Sequence, residues 1–347
     1  MNAARPITIA GGGLAGLTLG IGLRRVGVPV KIREAGVYPR HRVCGEFISG
    51  RGGEILRNLG FTNGLLTADA RPAHTVGFFS GERTVTRFAL PQPAICVPRN
   101  RLDALLAAEF VRLGGELSLR DRCSEDEAME GIVFATGQKA RAKCGPWRWF
   151  GLRAAARKVP IESDLEMHLL NSGYVGICRL NETEVNICGL FRTEAPENTL
   201  ARDWRSWLRG PSNSVLHQRL QHAEFLEESF VATAGLDYRP FRGSEPNRCR
   251  LGDQLTLIAP ISGNGMSMAI ESGELAVTPL ANYSAGRTEW SEVVRQIDRE
   301  TKIRFRTRVW IGFAVQSILF GAGREFGVVP LLRKFPGLIR VLYAKTR

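Results

Sequence analysis

A chain of 347 residues has room for about two domains, and 44% hydrophobic with 23% charged residues is the balance of a packed globular protein. That balance excludes disorder and low complexity, and the 38 glycines follow no Gly-X-Y period, which excludes collagen. Lys and Arg outnumber Asp and Glu by 47 to 34, and the net +13 is concentrated near the C-terminus rather than spread as on a nucleic-acid-binding surface, so no nucleic-acid partner is expected.

The chain opens with Met1 to Pro6 and passes directly into an apolar, β-branched run at 7–10, so no signal peptide is expected. Gly11-Gly12-Gly13-Leu14-Ala15-Gly16 follows, then an apolar helix pattern ending at Gly27 and a second strand at 30–33 closed by Glu34. Strand, turn, helix and strand within about 30 residues make a βαβ unit. A helix ends at Asn58-Leu59-Gly60, a hairpin pairs 76–79 with 84–90 around Ser80-Gly81-Glu82, and a strand at 95–97 leads into a helix over 101–113. After a buried-strand run at 132–134 the period changes to two. Four antiparallel strands are predicted at 150–157, 165–170, 174–180 and 184–191, with turns at Asn171-Ser172-Gly173 and Asn181-Glu182. Helices are predicted over roughly 198–228, strands near 229–235 and 255–259, and long helices from 264 to the end, broken near Pro330 and Pro336.

The pattern predicts an α/β fold: a discontinuous Rossmann-like domain (1–70, 91–145 and 236–300), an inserted antiparallel-sheet domain (71–90 and 146–235) and a basic helical C-terminal segment (301–347). The seven cysteines are odd in number and form no CxxC, and the five histidines form no HExxH, so neither a disulfide framework nor a metal site is expected. A reduced, cytoplasmic protein follows as the expectation.

Gly11-x-Gly13-x-x-Gly16, between a strand and a helix and with Glu34 18 residues further on, is a dinucleotide-binding fingerprint. The first glycine permits the tight turn, the second lets the backbone approach a pyrophosphate, and the third allows close helix–strand packing. Glu34 suits a ribose diol. A second device stands far along the chain, where Gly252-Asp253 and then Pro260-Ile261-Ser262-Gly263-Asn264-Gly265-Met266 open a helix. A simple NAD dehydrogenase has no need of it.

These stretches resemble the FAD-dependent oxidoreductases of the p-hydroxybenzoate hydroxylase fold, and within it the geranylgeranyl-reductase-related and flavin-monooxygenase branch. The resemblance rests on GGGLAG with Glu34, RVCGEFIS (42–49), VPRNRLD (97–103), FATG (134–137), EMHLLNSGYVGICRL (166–180), VNICGL (185–190) and GDQLTLIAPISGNGM (252–266). It implies FAD contacts at Gly11, Gly13, Ala15, Gly16, Glu34, Arg42, Arg99, Asp253, Pro260, Gly263, Gly265 and Met266, with NAD(P)H as electron donor. The mid-chain Asp-Gly motif of the aromatic hydroxylases and the Tyr-x-Trp-x-Phe-Pro element of the isoprenoid reductases are absent. Trp147-Arg148-Trp149-Phe150 is similar to the Trp-x-Trp-x-Ile-Pro of flavin halogenases but lacks the proline, and reads as core packing.

The resemblance implies that Cys44 and Glu46 lie near the flavin, as a thiol against the ring or an acid at the substrate pocket; the alternative is that Cys44 is a small buried hydrophobe. Met167, Leu169, Ile177, Ile187 and Leu190 are available to roof a dry pocket. Four activities stay open: a monooxygenase (hydroxylase or epoxidase) of an apolar, natural-product-like substrate, a reductase of isoprenoid or polyene C=C bonds, a halogenase, and a non-catalytic flavoprotein.

At the C-terminus, ten Lys/Arg stand against Glu325 alone from residue 302 onward. The uncharged stretch 309–323 is too short to span a bilayer. Val309, Trp310, Phe313, Ile318 and Phe320 among flanking basic residues suit peripheral contact with an anionic membrane through 302–347, or a helix packed on the FAD domain with its cations in water.

Overall fold

The computed structural model describes residues 4–127, 129–137, 148–193, 203–235, 245, 247–256, 259–320 and 337–346. Five parallel strands form the first sheet. They are β1 (Ile7–Ala10), β2 (Val30–Glu34), β6 (Glu116–Leu119), β7 (Ile132–Phe134) and β13 (Cys249–Arg250), in the order β13-β7-β1-β2-β6. Because β1 pairs with β2 on one side and β7 on the other, the strand order reverses at its carboxyl end, where open α/β sheets bind ligands.

Helix α1 (Leu14–Arg25) returns from β1 and is buried on every side from Leu14 to Leu23. An all-round buried helix carries no polar stripe, which is why its residues alternate large apolar groups with glycine. The glycines cost helix propensity but admit neighbours. A methyl on Gly20 would sit 2.9 Å from Ile32, and one on Gly22 would sit 2.5 Å from Val277 of α7 (Gly265–Ser284). From the other side, a methyl on Gly273 of α7 would meet the Ala15 carbonyl at 2.5 Å. α4 (Arg99–Arg112) completes this layer, with α2 (Arg51–Asn58) and α3 (Thr62–Thr67) beside it.

The second sheet has eight strands in the order β12-β8-β11-β10-β9-β4-β5-β3. Their ranges are β3 (Phe47–Ile48), β4 (Arg71–Ser80), β5 (Arg83–Cys96), β8 (Arg148–Arg157), β9 (Leu165–Leu170), β10 (Gly173–Arg179), β11 (Glu184–Thr193) and β12 (Glu224–Ala234). All pairs are antiparallel except β4 with β9, which is parallel. The Asn171-Ser172 turn closes β9 onto β10, with Leu170 opposite Gly173. α5 (Trp204–Arg209) and α6 (Val215–Leu220) cover the face carrying Phe150, Leu152, Val175, Ile177, Ile187 and Phe191. The opposite face looks toward the first domain.

Two expectations are corrected. The helix predicted through 228 stops at α6, and 224–234 is an edge strand. The run at 255–259 is not a strand among its described residues; β13 precedes it, and Gly252–Gln254 is a 3-10 turn. α8 (Trp290–Phe320) and α9 (Gly337–Lys345) complete the described chain, and the breaks expected near Pro330 and Pro336 lie outside the described residues.

Candidate functional site

At the carboxyl end of β1 the three fingerprint glycines face different surroundings. Gly11 has φ +105°, and a Cβ there would lie 2.6 Å from the Ala135 carbonyl oxygen beyond β7. On Gly16 a Cβ would meet the Gly11 carbonyl at 2.0 Å. Gly13, by contrast, opens on space, with only the Arg99 guanidinium at 3.8 Å. The first and third glycines are therefore demanded by the chain's own packing, whereas the second is left for something else to approach.

Glu34 is buried at the end of β2. Its carboxylate accepts from the Gly12 amide at 2.8 Å, the Gly36 amide at 2.7 Å and Arg40 at 2.6 Å, with Arg42 3.9 Å away. Tyr38 donates its hydroxyl to the Gly12 carbonyl at 2.5 Å. Arg99, at the start of α4, and Arg42 share the fully buried Asp103 at 2.7 and 3.5 Å. Three arginines, Arg40, Arg42 and Arg99, thus face two carboxylates beside the open Gly13. One positive charge is left over.

The 252–266 device joins the same place. Gly252 takes a left-handed φ of +57°, and its amide donates to Ser272 Oγ at 3.1 Å. This sets the turn holding Asp253 against Ala15, whose methyl would lie 3.2 Å from a Gly252 Cβ. Pro260–Ser262 form a second 3-10 turn, ended by Gly263 at φ +61°. The Phe47 ring lies where a Gly263 side chain would go, at 2.4 Å. Gly265 and Met266 then begin α7, whose N-terminal amides carry partial positive charge. Asn264 precedes that start and donates through Nδ2 to the Thr346 carbonyl, which brings the end of the described C-terminal segment to the site.

Cys44 and Glu46 come together, but not as an exposed acid and nucleophile. Glu46 has no exposed surface and a φ of +59°. One carboxylate oxygen accepts from the Arg99 amide at 3.2 Å and the other from Arg153 Nη2 at 2.9 Å. Burial pushes its pKa up, against the pull of Arg153 and the Arg99 amide. Cys44 is half-buried; its sulfur accepts from the Glu46 amide at 3.4 Å and lies 4.0 Å from Arg99. Burial raises the thiol pKa and Arg99 opposes it, so the resting sulfur is a neutral thiol.

Arg153, in the middle of β8, is the residue that sequence reading passes over. It donates to Asn186 Oδ1 at 2.6 Å, to the Ser229 carbonyl at 2.9 Å and to His41 Nδ1 at 3.1 Å, besides Glu46. Asn186 in turn donates to the Cys44 carbonyl at 2.8 Å. The second sheet is thereby fastened to the 41–46 segment. The available signal was a single cation within Phe-Gly-Leu-Arg-Ala-Ala-Ala, an otherwise apolar run. Asp103 and Arg40 were likewise missed, since ion pairs across folded segments have no sequence spacing.

Of the proposed roof residues, Met167, Leu169 and Leu190 share the inner face with Tyr174 and Trp149, against Ile261 and Val315 of α8. Ile177 and Ile187 point to the opposite core. Trp149 and Phe150 pack in two different clusters, and Trp147 lies outside the described residues.

No protein-family profile matches the chain, and no curated protein matches its sequence. Solved structures do match its fold. The flavin-dependent brominase Bmp2 superposes with a TM-score of 0.72 at 19% identity, covering 99% of this chain and 93% of the brominase. PqsL, a probable FAD-dependent monooxygenase from Pseudomonas aeruginosa, gives 0.69 at 16% identity over 93% of this chain and 98% of its own. A geranylgeranyl bacteriochlorophyll reductase-like protein from Thermoplasma acidophilum gives 0.73 at 17% identity, covering 97% and 91%. The chain has the fold these flavoenzymes share: a Rossmann-like domain with an inserted sheet and a helical C-terminus.

Proposed function

We propose that the protein is an FAD-dependent oxidoreductase, and specifically an NAD(P)H-dependent monooxygenase, a hydroxylase or epoxidase, of an apolar, natural-product-like substrate. The observation that carries the cofactor is the open Gly13 at the strand-order reversal, with its surrounding charges. Gly13 is open there, the α1 amides point outward, and three arginines exceed two carboxylates by one charge. This donor set fits a pyrophosphate held at Gly13 and Arg99. Arg40, partly exposed, can yield Glu34 to a ribose diol. The Gly263–Met266 turn and the start of α7 would hold the ring, where the helix end favours negative charge by about 0.3–1 kcal/mol.

When bound, FAD supplies the redox chemistry, accepting hydride from NAD(P)H and reacting with O2. The overall balance is substrate, O2, NAD(P)H and a proton giving oxygenated substrate, NAD(P)+ and water. The chain's part is to orient and to keep water out. Trp149, Met167, Leu169, Tyr174, Leu190, Ile261 and Val315 form an apolar wall, and Glu46 with Arg153 fixes the 41–46 segment beneath it.

Oxygenation and C=C reduction each consume one hydride and one proton, and the buried Glu46 carboxylate, held by Arg153 and the Arg99 amide, is an exposed acid for neither, so the need for O2 is what separates the two readings. NAD(P)H consumption by the FAD-loaded protein, with and without O2, tests the reading using an apolar polyene or aromatic substrate. Oxygenated product only in air supports it. Saturated product under anaerobic conditions identifies a reductase instead, and product formation that requires bromide or chloride identifies a halogenase.

A further inference from the structure

We propose that the outward face of α8 docks on an anionic membrane surface. The helix is 31 residues long and its two faces differ in kind. Inward, Phe305 and Val309 pack with Met268, Arg308 donates to the buried Glu271 of α7 at 2.7 Å, and Val315 joins the apolar wall. Val309, expected from sequence to contribute apolar bulk to a membrane face, is thus spent on the interior. Outward, Ile303 is 75% exposed, Trp310 51% and Ile318 50%, with Ala314 exposed between them. These residues recur at helical spacing over about 22 Å of helix. Phe313 meets Trp310 edge-on at 6.3 Å and broadens the stripe.

Charge selects the occupant. From residue 302 to the end, ten Lys/Arg stand against one Glu in a chain of +13; Lys302 pairs with Asp298, and Arg304 and Arg308 lie on Glu271, so the remaining seven carry the excess. Arg306 is exposed on this face, with Arg299 one turn before Ile303 and Arg340 and Lys345 exposed on α9. A second copy would bring the same excess of positive charge to the same stripe and be repelled, whereas anionic headgroups complement it. A half-exposed Trp flanked by Ile and Arg suits the headgroup boundary, where its ring is buried and its N–H stays hydrated. No described helix is long and apolar enough to cross a membrane, so the contact is peripheral. The inference is independent of the proposed reaction.

The test is flotation of the full chain with phosphatidylcholine vesicles and with phosphatidylcholine–phosphatidylglycerol vesicles, at low and high salt. Binding to the anionic vesicles is expected to exceed neutral binding by about tenfold or more, to weaken with salt, and to fall about tenfold in Ile303→Ser/Trp310→Ser. Should that variant fail to fold, Arg299→Glu/Arg306→Glu, confined to exposed side chains, is expected to weaken anionic binding by a similar factor. Equal binding to both vesicles overturns the proposal, as does anionic binding untouched by either variant. So does a dimer, seen by sedimentation, that Ile303→Ser/Trp310→Ser dissolves in a protein that ignores vesicles; the stripe would then be a contact between copies.

Discussion

Gly13 and Gly16 stand three residues apart and have opposite requirements. A methyl on Gly16 collides with backbone at Gly11, so Gly16→Ala is expected to cost about 1–3 kcal/mol of stability in urea unfolding. Gly13 has φ −87° and ψ −175°, which any residue adopts, and open space beyond it. Gly13→Ala should leave the unfolding curve in place while raising the Kd for FAD about tenfold or more, because the methyl keeps phosphate off the turn. The fingerprint is legible in sequence by its spacing between a strand and a helix; Gly11 and Gly16 answer local packing demands, whereas Gly13 answers none within the chain. Arg153 is not legible in this way, because its partners come from three separate segments: His41 and Glu46, Asn186, and Ser229. Its pairing makes a sharp stability test. Arg153→Leu strands the buried Glu46 carboxylate and should cost about 3–5 kcal/mol, and adding Glu46→Leu should recover part of that loss by removing the orphaned charge.

At the scale of elements, sequence locates β1 and β7 as apolar runs and the strands of 165–191 by their alternation and the turns between them. The second half of β12 matches the strand expected near 229–235, but its first half, Glu-Phe-Leu-Glu-Glu at 224–228, reads as helix because it is rich in helix formers; pairing with β8 overrides that propensity. Its exposed Glu224, Glu227 and Glu228 and the register shift between Leu226 and Val231 are features that keep a sheet edge from pairing with another chain. β6 and β13 escaped notice because four and two residues are too few to show a period. Beneath α6, β9 carries a buried pair whose titration is testable. His168 stacks on Phe79 at 4.7 Å and shares a 3.0 Å hydrogen bond with Glu166, with Arg219 3.4 Å from that carboxylate and paired also with Glu162. Burial lowers the His168 pKa below 6.5 despite Glu166. Glu166 lies below 4.5: burial opposes this, but His168, the Glu162 amide and Arg219 outweigh it. Both groups bind fewer protons folded than unfolded. Stability should therefore fall as pH drops below 6.5, through the His168 window, and again below 4.5, through that of Glu166. His168→Gln keeps a donor to Glu166 and should flatten the upper window in urea midpoints measured against pH, leaving the lower one. His41, also lowered by burial and by Arg153, contributes the remaining slope of the upper window.

For the molecule as a whole, the second sheet is fastened to the 41–46 segment through Arg153 and Asn186, its inner face packs Val315 of α8, and the outward stripe of the same helix faces solvent. The division into a Rossmann-like layer and a second, mostly antiparallel sheet was readable from the change of period near residue 150. How the C-terminal segment returns to Asn264 was not, because that contact joins residues 82 apart through one side chain and a backbone carbonyl. The expected cofactor gives the most direct test. Purified full-length protein is titrated with FAD, following flavin absorbance and the melting transition, beside Gly13→Ala and Glu34→Ala. One FAD per chain is expected, with stabilisation of about 2.7 kcal/mol at a hundred times Kd and weaker binding in both variants. Glu34→Ala should lose affinity for FAD but not for FMN, which lacks the adenosine ribose. No retained flavin and no shift in melting at saturating FAD, or FAD binding identical in all three proteins, would contradict the assignment of the cofactor to Gly13 and Glu34.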